Sequence, residues 1–221
     1  MENKDTYLRY FNQKKARQFS ASLIRFGFMN FQSAKVIKDF DKLGALGDIN
    51  NFQQNYNEIF QFTLESLNDA IKIIGCFDNY MKAILLSEGF LVNIIEGEGY
   101  EALAIAQQTR PIHLEEMTAI RDFEGDEEQG YYLAGISPQI ITFDTMLELR
   151  YQELLQIPTD LIDALRSLAE KKENQPFYHY IELALSKQAI ENFAAMKSFV
   201  EGKVATELEN LLHRTKKNSP T

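Results

Sequence analysis

Tryptophan is absent from this chain of 221 residues, cysteine occurs once and histidine three times. A single cysteine, Cys76, excludes an intramolecular disulfide, and a reducing, cytoplasmic setting is the expectation. The histidines, His113, His179 and His213, lie far apart, and none follows a glutamate at the spacing of a di-iron bundle. His-Glu-x-x-His, cysteine clusters and calcium loops are missing too, so neither a metal nor any other cofactor is expected. The "GEG" of residues 97–99 lacks the lysine of a phosphate loop and the third glycine of a dinucleotide fingerprint. No serine stands in a G-x-S-x-G elbow. Cys76, within "IKIIGCF", reads as inert packing rather than as a nucleophile. No apolar run approaches the roughly 18–20 residues that cross a bilayer, and "MENKDTYLRYFNQKK" lacks the apolar centre of a secretory signal. No membrane association is expected.

What is present suffices for a folded core: 45% of residues are hydrophobic and 12% aromatic. The formal charge is −9, unevenly spread. Residues 1–42 hold 9 basic and 4 acidic side chains, residues 43–170 hold 6 and 22, and residues 171–221 hold 8 and 6. The acidic middle disfavours a wide nucleic-acid platform, which needs clustered Lys and Arg, although the two basic ends would form one patch if the fold joined them.

Helical periodicity dominates, and strand-like alternation is nearly absent. The expected fold is all-α: a helical bundle with one very long central helix. It forms a single domain over 1–213, with an N-terminal helical segment over 1–48, a bundle over 50–213 and a disordered tail over 214–221. In the first helix Leu8, Phe11, Phe19, Leu23 and Phe26 form the expected apolar side, and "GFMN" interrupts it. The long helix spans about Asn51 to Glu88, with Phe60, Leu64, Leu67, Ile71, Ile74, Met81 and Leu85 on one face and Ile59, Phe77 and Ile84 widening it. Asp78 falls on that stripe and reads as a polar group at a helix crossing. "HLEE" at 113–116 marks a helix start. Residues 121–138, with an acidic run, glycines and a proline, read as an irregular acidic loop. Pro158 and Thr159 open a helix with Leu161, Leu165 and Leu168 inward, and after Pro176 a last helix runs to about His213.

The stretch "KKENQPFYH", residues 171–179, carries the densest chemistry. Gln175 precedes a proline and is pushed out of the α region, Pro176 suits a first helical turn, and Asn174 is placed to cap it. This accounts for "ENQP" as a simple turn between helices. Lys171, Lys172, Asn174, Tyr178 and His179 also surround the expected open helix N-terminus, and such a cluster is a candidate phosphate-binding site.

Two stretches, "LNDAIKIIGCFDNYMKAILLSEGFLVNII" and "LIDALRSLAEKKENQPFYHYIELAL", resemble the HEPN superfamily (higher eukaryotes and prokaryotes nucleotide-binding). Together they cover about 55 residues of the chain. The resemblance implies a helical protein, usually a dimer with a composite site across a two-fold interface. Many members are metal-independent RNases of toxin–antitoxin, CRISPR and phage-defence systems. The family motif is an arginine, four to six residues, then a histidine. With His179 in the histidine position, Lys172 stands where arginine belongs. Matched instead through "FY" at 177–178, Pro176 replaces the histidine and Lys171 the arginine. Upstream, Asn93 occupies a position where relatives often carry another histidine. Lysine supplies charge without the planar fork that grips two phosphate oxygens. The expectation is therefore a catalytically degenerate binding protein, dimeric in the manner of the family, whose partner is a protein, a nucleotide or RNA. Two alternatives stay open: a weak metal-independent endoribonuclease using Lys172 and His179, and a structural bundle unrelated to the family.

Overall fold

The computed structural model describes residues 9–34, 37, 56–96, 98–120, 125–126, 130–133, 136–174 and 187–217. It is mostly helical: helices account for 75% of the described residues. The chain divides into two compact units, one of Met1–Leu23, Met81–Gln156 and Leu211–Thr221, the other of Ile24–Tyr80 and Ile157–Asn210.

The first unit opens with strand β1 (Arg9–Phe11) and the start of helix α1 (Gln13–Ser33). Asn12 caps α1, its Oδ1 accepting the Lys15 N–H at 2.9 Å. Helix α2 (Tyr56–Ser87) ends in this unit and is followed by β2 (Asn93–Ile95), α3 (Glu101–Gln107) and α4 (Leu114–Thr118). Then come β3 (Gly125–Asp126), β4 (Gly130–Leu133), β5 (Ile136–Ile140), α5 (Phe143–Met146) and α6 (Leu149–Leu155). The strands form two antiparallel sheets, ordered β1-β4-β3 and β2-β5. Tyr10 pairs with Tyr132 and Asp126 with Gly130, while Asn93 pairs with Ile140 and Ile95 with Ile136 across an irregular register. Leu91, Ile95, Tyr100, Leu103, Ile112 and Met117 belong to the core beneath the second sheet.

These strands correct the expectation of an irregular loop over 121–138. Within it, residues 125–126, 130–133 and 136–138 are extended and paired. The reason is local composition: Tyr131, Tyr132 and Ile136 favour extended backbone, and β4 is held from both sides by β1 and β3.

The second unit is helical. It contains the later part of α1, α2 as far as Tyr80, α7 (Thr159–Asn174), α8 (Lys187–Phe199) and a π turn (Val200–Val204) leading into α9 (Ala205–Lys217). The α7 start signal holds: the Ile162 N–H reaches the Pro158 carbonyl at 3.0 Å, and Leu161, Leu165 and Leu168 are buried. Helix α8 packs against α7. Phe199 at its end stacks on Phe77 at 5.6 Å and meets Tyr80 edge-on at 5.5 Å.

The apolar face of the first helix is rotated from that expected, while that of the second is largely as expected. Helix α1 runs unbroken through "GFMN", and Ala21, Ile24 and Phe31 are buried while Phe19 and Phe26 are exposed. Gly27 sits at the closest approach to α2: a Cβ there would lie 3.1 Å from the Cys76 Cα. On α2, Met81, Leu85, Phe77 and Ile84 are buried as expected, joined by Ile73 and Tyr80, whereas Ile71 is exposed. Helix α1 carries apolar residues on two faces, so spacing alone did not select its inner one. The last helix continues to Lys217, four residues beyond His213, so residues 214–217 of the expected disordered tail are helical. Arg214 adds a tie there, its Nη1 lying 3.5 Å from the Glu88 carboxylate.

Candidate functional site

The backbone places Lys171, Lys172 and Asn174 in the last turn of α7, with Asn174 its final residue. Tyr178 and His179, the other members of the expected phosphate cluster, lie outside the described residues. Cations in the last turn of a helix are favoured by the partial negative charge of its free carbonyls. That accounts for lysines at 171 and 172 without any ligand.

The one histidine whose surroundings are described in detail, His113, is fully engaged by the fold. Its Nδ1 accepts the Glu115 N–H at 3.2 Å, which fixes the proton on Nε2, and Nε2–H donates to the Glu88 carbonyl at 3.0 Å. The Glu116 carboxylate accepts the His113 N–H at 3.1 Å, completing a capping box at the start of α4. The ring meets Phe90 edge-on with centroids 5.2 Å apart. Gly89 turns the chain here at φ +85°, and a Cβ at that position would collide with His113 Nε2. Neither ring nitrogen is available for proton transfer, so His113 holds a loop to a helix, as the reading of "HLEE" anticipated.

Beside it, Arg110 grips Glu116 through both guanidinium ends, one bond measuring 2.7 Å. The Arg110 guanidinium holds the Glu116 carboxyl below the usual carboxylate range, and Glu116 raises Arg110 in return. This pair is closed on itself. Cys76 is buried, and desolvation pushes its thiol up to about 12, which removes it as a nucleophile near neutral pH. Among the described residues no group of three or more His, Cys, Asp and Glu side chains could hold a metal ion. No helix of the described residues is long and apolar enough to cross a membrane.

Asn93, which the family resemblance matched to a second histidine, lies in β2. Its amide donates to the Ser137 carbonyl at 3.0 Å, and its own carbonyl accepts from Gln107 Nε2 at 2.8 Å. Sequence reasoning missed the partner, Gln107. This buried side chain also accepts the Ile95 N–H at 2.9 Å, while its backbone carbonyl accepts the Tyr151 hydroxyl at 3.2 Å. A glutamine at the end of a short helix gives no sequence signal of that role. The buried carboxylate of Asp69, paired with Lys72 at 3.0 Å, was equally unmarked.

Comparison with models of known families, with characterised proteins and with solved structures finds no match for this chain.

Proposed function

We propose that this protein is a HEPN-like helical binding protein, catalytically degenerate, that holds a phosphate-bearing ligand, RNA or a nucleotide, in the stretch following α7. The observation that supports this reading most is the course of α7. It runs continuously from Thr159 and brings Lys171 and Lys172 to its last turn, directly before the Pro176–His179 stretch. Phosphate recognition needs such adjacent cations. The loss of arginine from the motif separates binding from cleavage. Removing one donor to the transition-state charge costs about 2.7–4 kcal/mol, whereas ground-state phosphate binding tolerates a lysine. Dimerisation, a bundle built around the 32 residues of α2, and a cytoplasmic setting belong to the same reading.

The test is binding of a fluorescein-labelled mixed-sequence RNA in EDTA, with the integrity of the RNA followed in the same samples. Binding that weakens with salt, and whose log–log salt slope falls by about 1–2 in Lys171→Ala/Lys172→Ala, is the expected result. Unchanged binding by that variant would refute the site. Cleavage by the wild type that disappears in His179→Ala would refute degeneracy and establish the weak endoribonuclease instead.

A further inference from the structure

The solvent side of α1 carries a line of exposed apolar side chains. Phe19, Phe26 and Met29 are 57%, 62% and 59% exposed. With the exposed Ser22 and Ser33 they stand at positions 19, 22, 26, 29 and 33, alternating steps of three and four. That is the a/d spacing of a coiled-coil seam, maintained over two heptads of one continuous helix. The residues that α1 buries, among them Ala21, Ile24, Gly27 and Phe31, lie on its other side. Single exposed apolar residues are ordinary on a protein surface, but three large ones in heptad register on one helix form a surface with a direction.

The charge of α1 narrows what fits this surface. The helix holds Lys14, Lys15, Arg17 and Arg25 and not one carboxylate, in a chain whose net charge is −9. Arg17 is used within the fold, its Nε donating to the Ser87 carbonyl at 3.3 Å. Lys14 and Arg25 are exposed, Arg25 beside the seam. We propose that α1 is a docking surface for an acidic amphipathic helix of a partner protein, with apolar residues at a and d against Phe19, Phe26 and Met29 and a carboxylate beside Arg25.

The spacing selects a helix, because only an α-helical partner repeats its contacts every 3.5 residues, and Ser22 and Ser33 leave room for its larger side chains. Charge complementarity selects an acidic one. A second copy of α1 would bring two acid-free basic helices together. A single-stranded nucleic acid would find aromatic rings on a convex rod instead of a groove that tracks its backbone. A bilayer favours a broad apolar face, whereas this line is narrow and broken by serines. This inference is independent of the phosphate site at α7.

The experiment uses the full chain and two labelled peptides of about four heptads, both with Leu at a and d, one with Glu and the other with Lys at e and g. Fluorescence anisotropy should show binding of the Glu peptide and at least about tenfold weaker binding of the Lys peptide. Phe26→Ser/Met29→Ser should weaken the Glu peptide by at least about tenfold while leaving the thermal melt in place, because both side chains are exposed. Arg25→Glu should reduce the preference for the Glu peptide. Equal binding of both peptides, absence of binding, or full binding by the double variant would each overturn the proposal. So would a dimer in sedimentation that the double variant dissolves, which would give the seam to a second copy. Binding of mixed RNA or of phosphatidylglycerol vesicles that the double variant abolishes, with neither peptide bound, would overturn it in favour of those surfaces.

Discussion

Replacing Gly89 by alanine should damage the first unit far more than the loss of one turn glycine, because it strikes the ring of His113. Two costs combine. An alanine at φ +85° pays about 1–2 kcal/mol for the left-handed backbone. Its methyl also displaces an imidazole whose two nitrogens are both bonded. Losing the cap to the Glu115 N–H costs about 0.5–2 kcal/mol, and losing the bond to the Glu88 carbonyl about 0.5–1.5 kcal/mol. The expected total is about 2–5 kcal/mol. The assay is urea unfolding, read as a midpoint shift at constant slope, on a double-mutant cycle with His113→Ala. Once the ring is gone, Gly89→Ala should cost only the backbone part, so the two substitutions should couple by about 1–3 kcal/mol. A loss below about 0.5 kcal/mol, or costs that simply add, would show that the ring moves aside freely and that the described bonds do not hold it.

Other outcomes follow from the same contacts. Gly27→Ala should destabilise by about 1 kcal/mol, because the new methyl presses on the Cys76 backbone and the Asn79 Cβ, whereas Gly75→Ala, which meets nothing within 4 Å, should stabilise by about 0.5–1 kcal/mol in the same denaturation assay. Cys76 should react with a thiol reagent at pH 8 only as fast as the protein unfolds, and prompt labelling of native protein would refute its burial. Its folded thiol and the Tyr80 phenol are both raised by burial, so the stability they contribute is complete below their unfolded values. It should fall as pH rises from about 8.5 toward 12, by about 1.4 kcal/mol per pH unit for each group that titrates. Glu116 is depressed and has the opposite sign: Glu116→Gln keeps the cap acceptor but loses the charge pair with the exposed Arg110. It should cost less than about 1 kcal/mol at pH 7, and the difference should shrink as pH falls below about 4.

The parts of the fold that were legible are those whose signals are local. Pro158 and Thr159 open α7, and the four-residue step from Leu161 to Leu165 defines its inner face; His113 and Glu116 carry a helix start within four residues. What escaped depends on partners distant in the chain. Arg9–Phe11 become a strand only because Tyr131–Leu133 lie beside them, and the two apolar faces of α1 are told apart only by what α2 covers at Gly27. Of the candidate site, Lys171, Lys172 and Asn174, expected beside the start of the following helix, fall instead in the last turn of α7, where the lysines complement the macrodipole in a way that composition alone does not reveal.

The π turn at Val200–Val204 has an evolutionary side. Four-residue steps in an α-helix overshoot a full turn by about 40°, yet Met196, Val200 and Val204 all remain buried, which the wider i→i+5 turn permits. Such a turn amounts to one residue absorbed without breaking the helix. A chain lacking Gly202 would close the turn into ordinary helix and keep the residues on either side near their present faces. The same deletion in the middle of α7 would rotate everything after it by about 100°. Among the described helices, a one-residue deletion is therefore absorbed most readily at Val200–Val204.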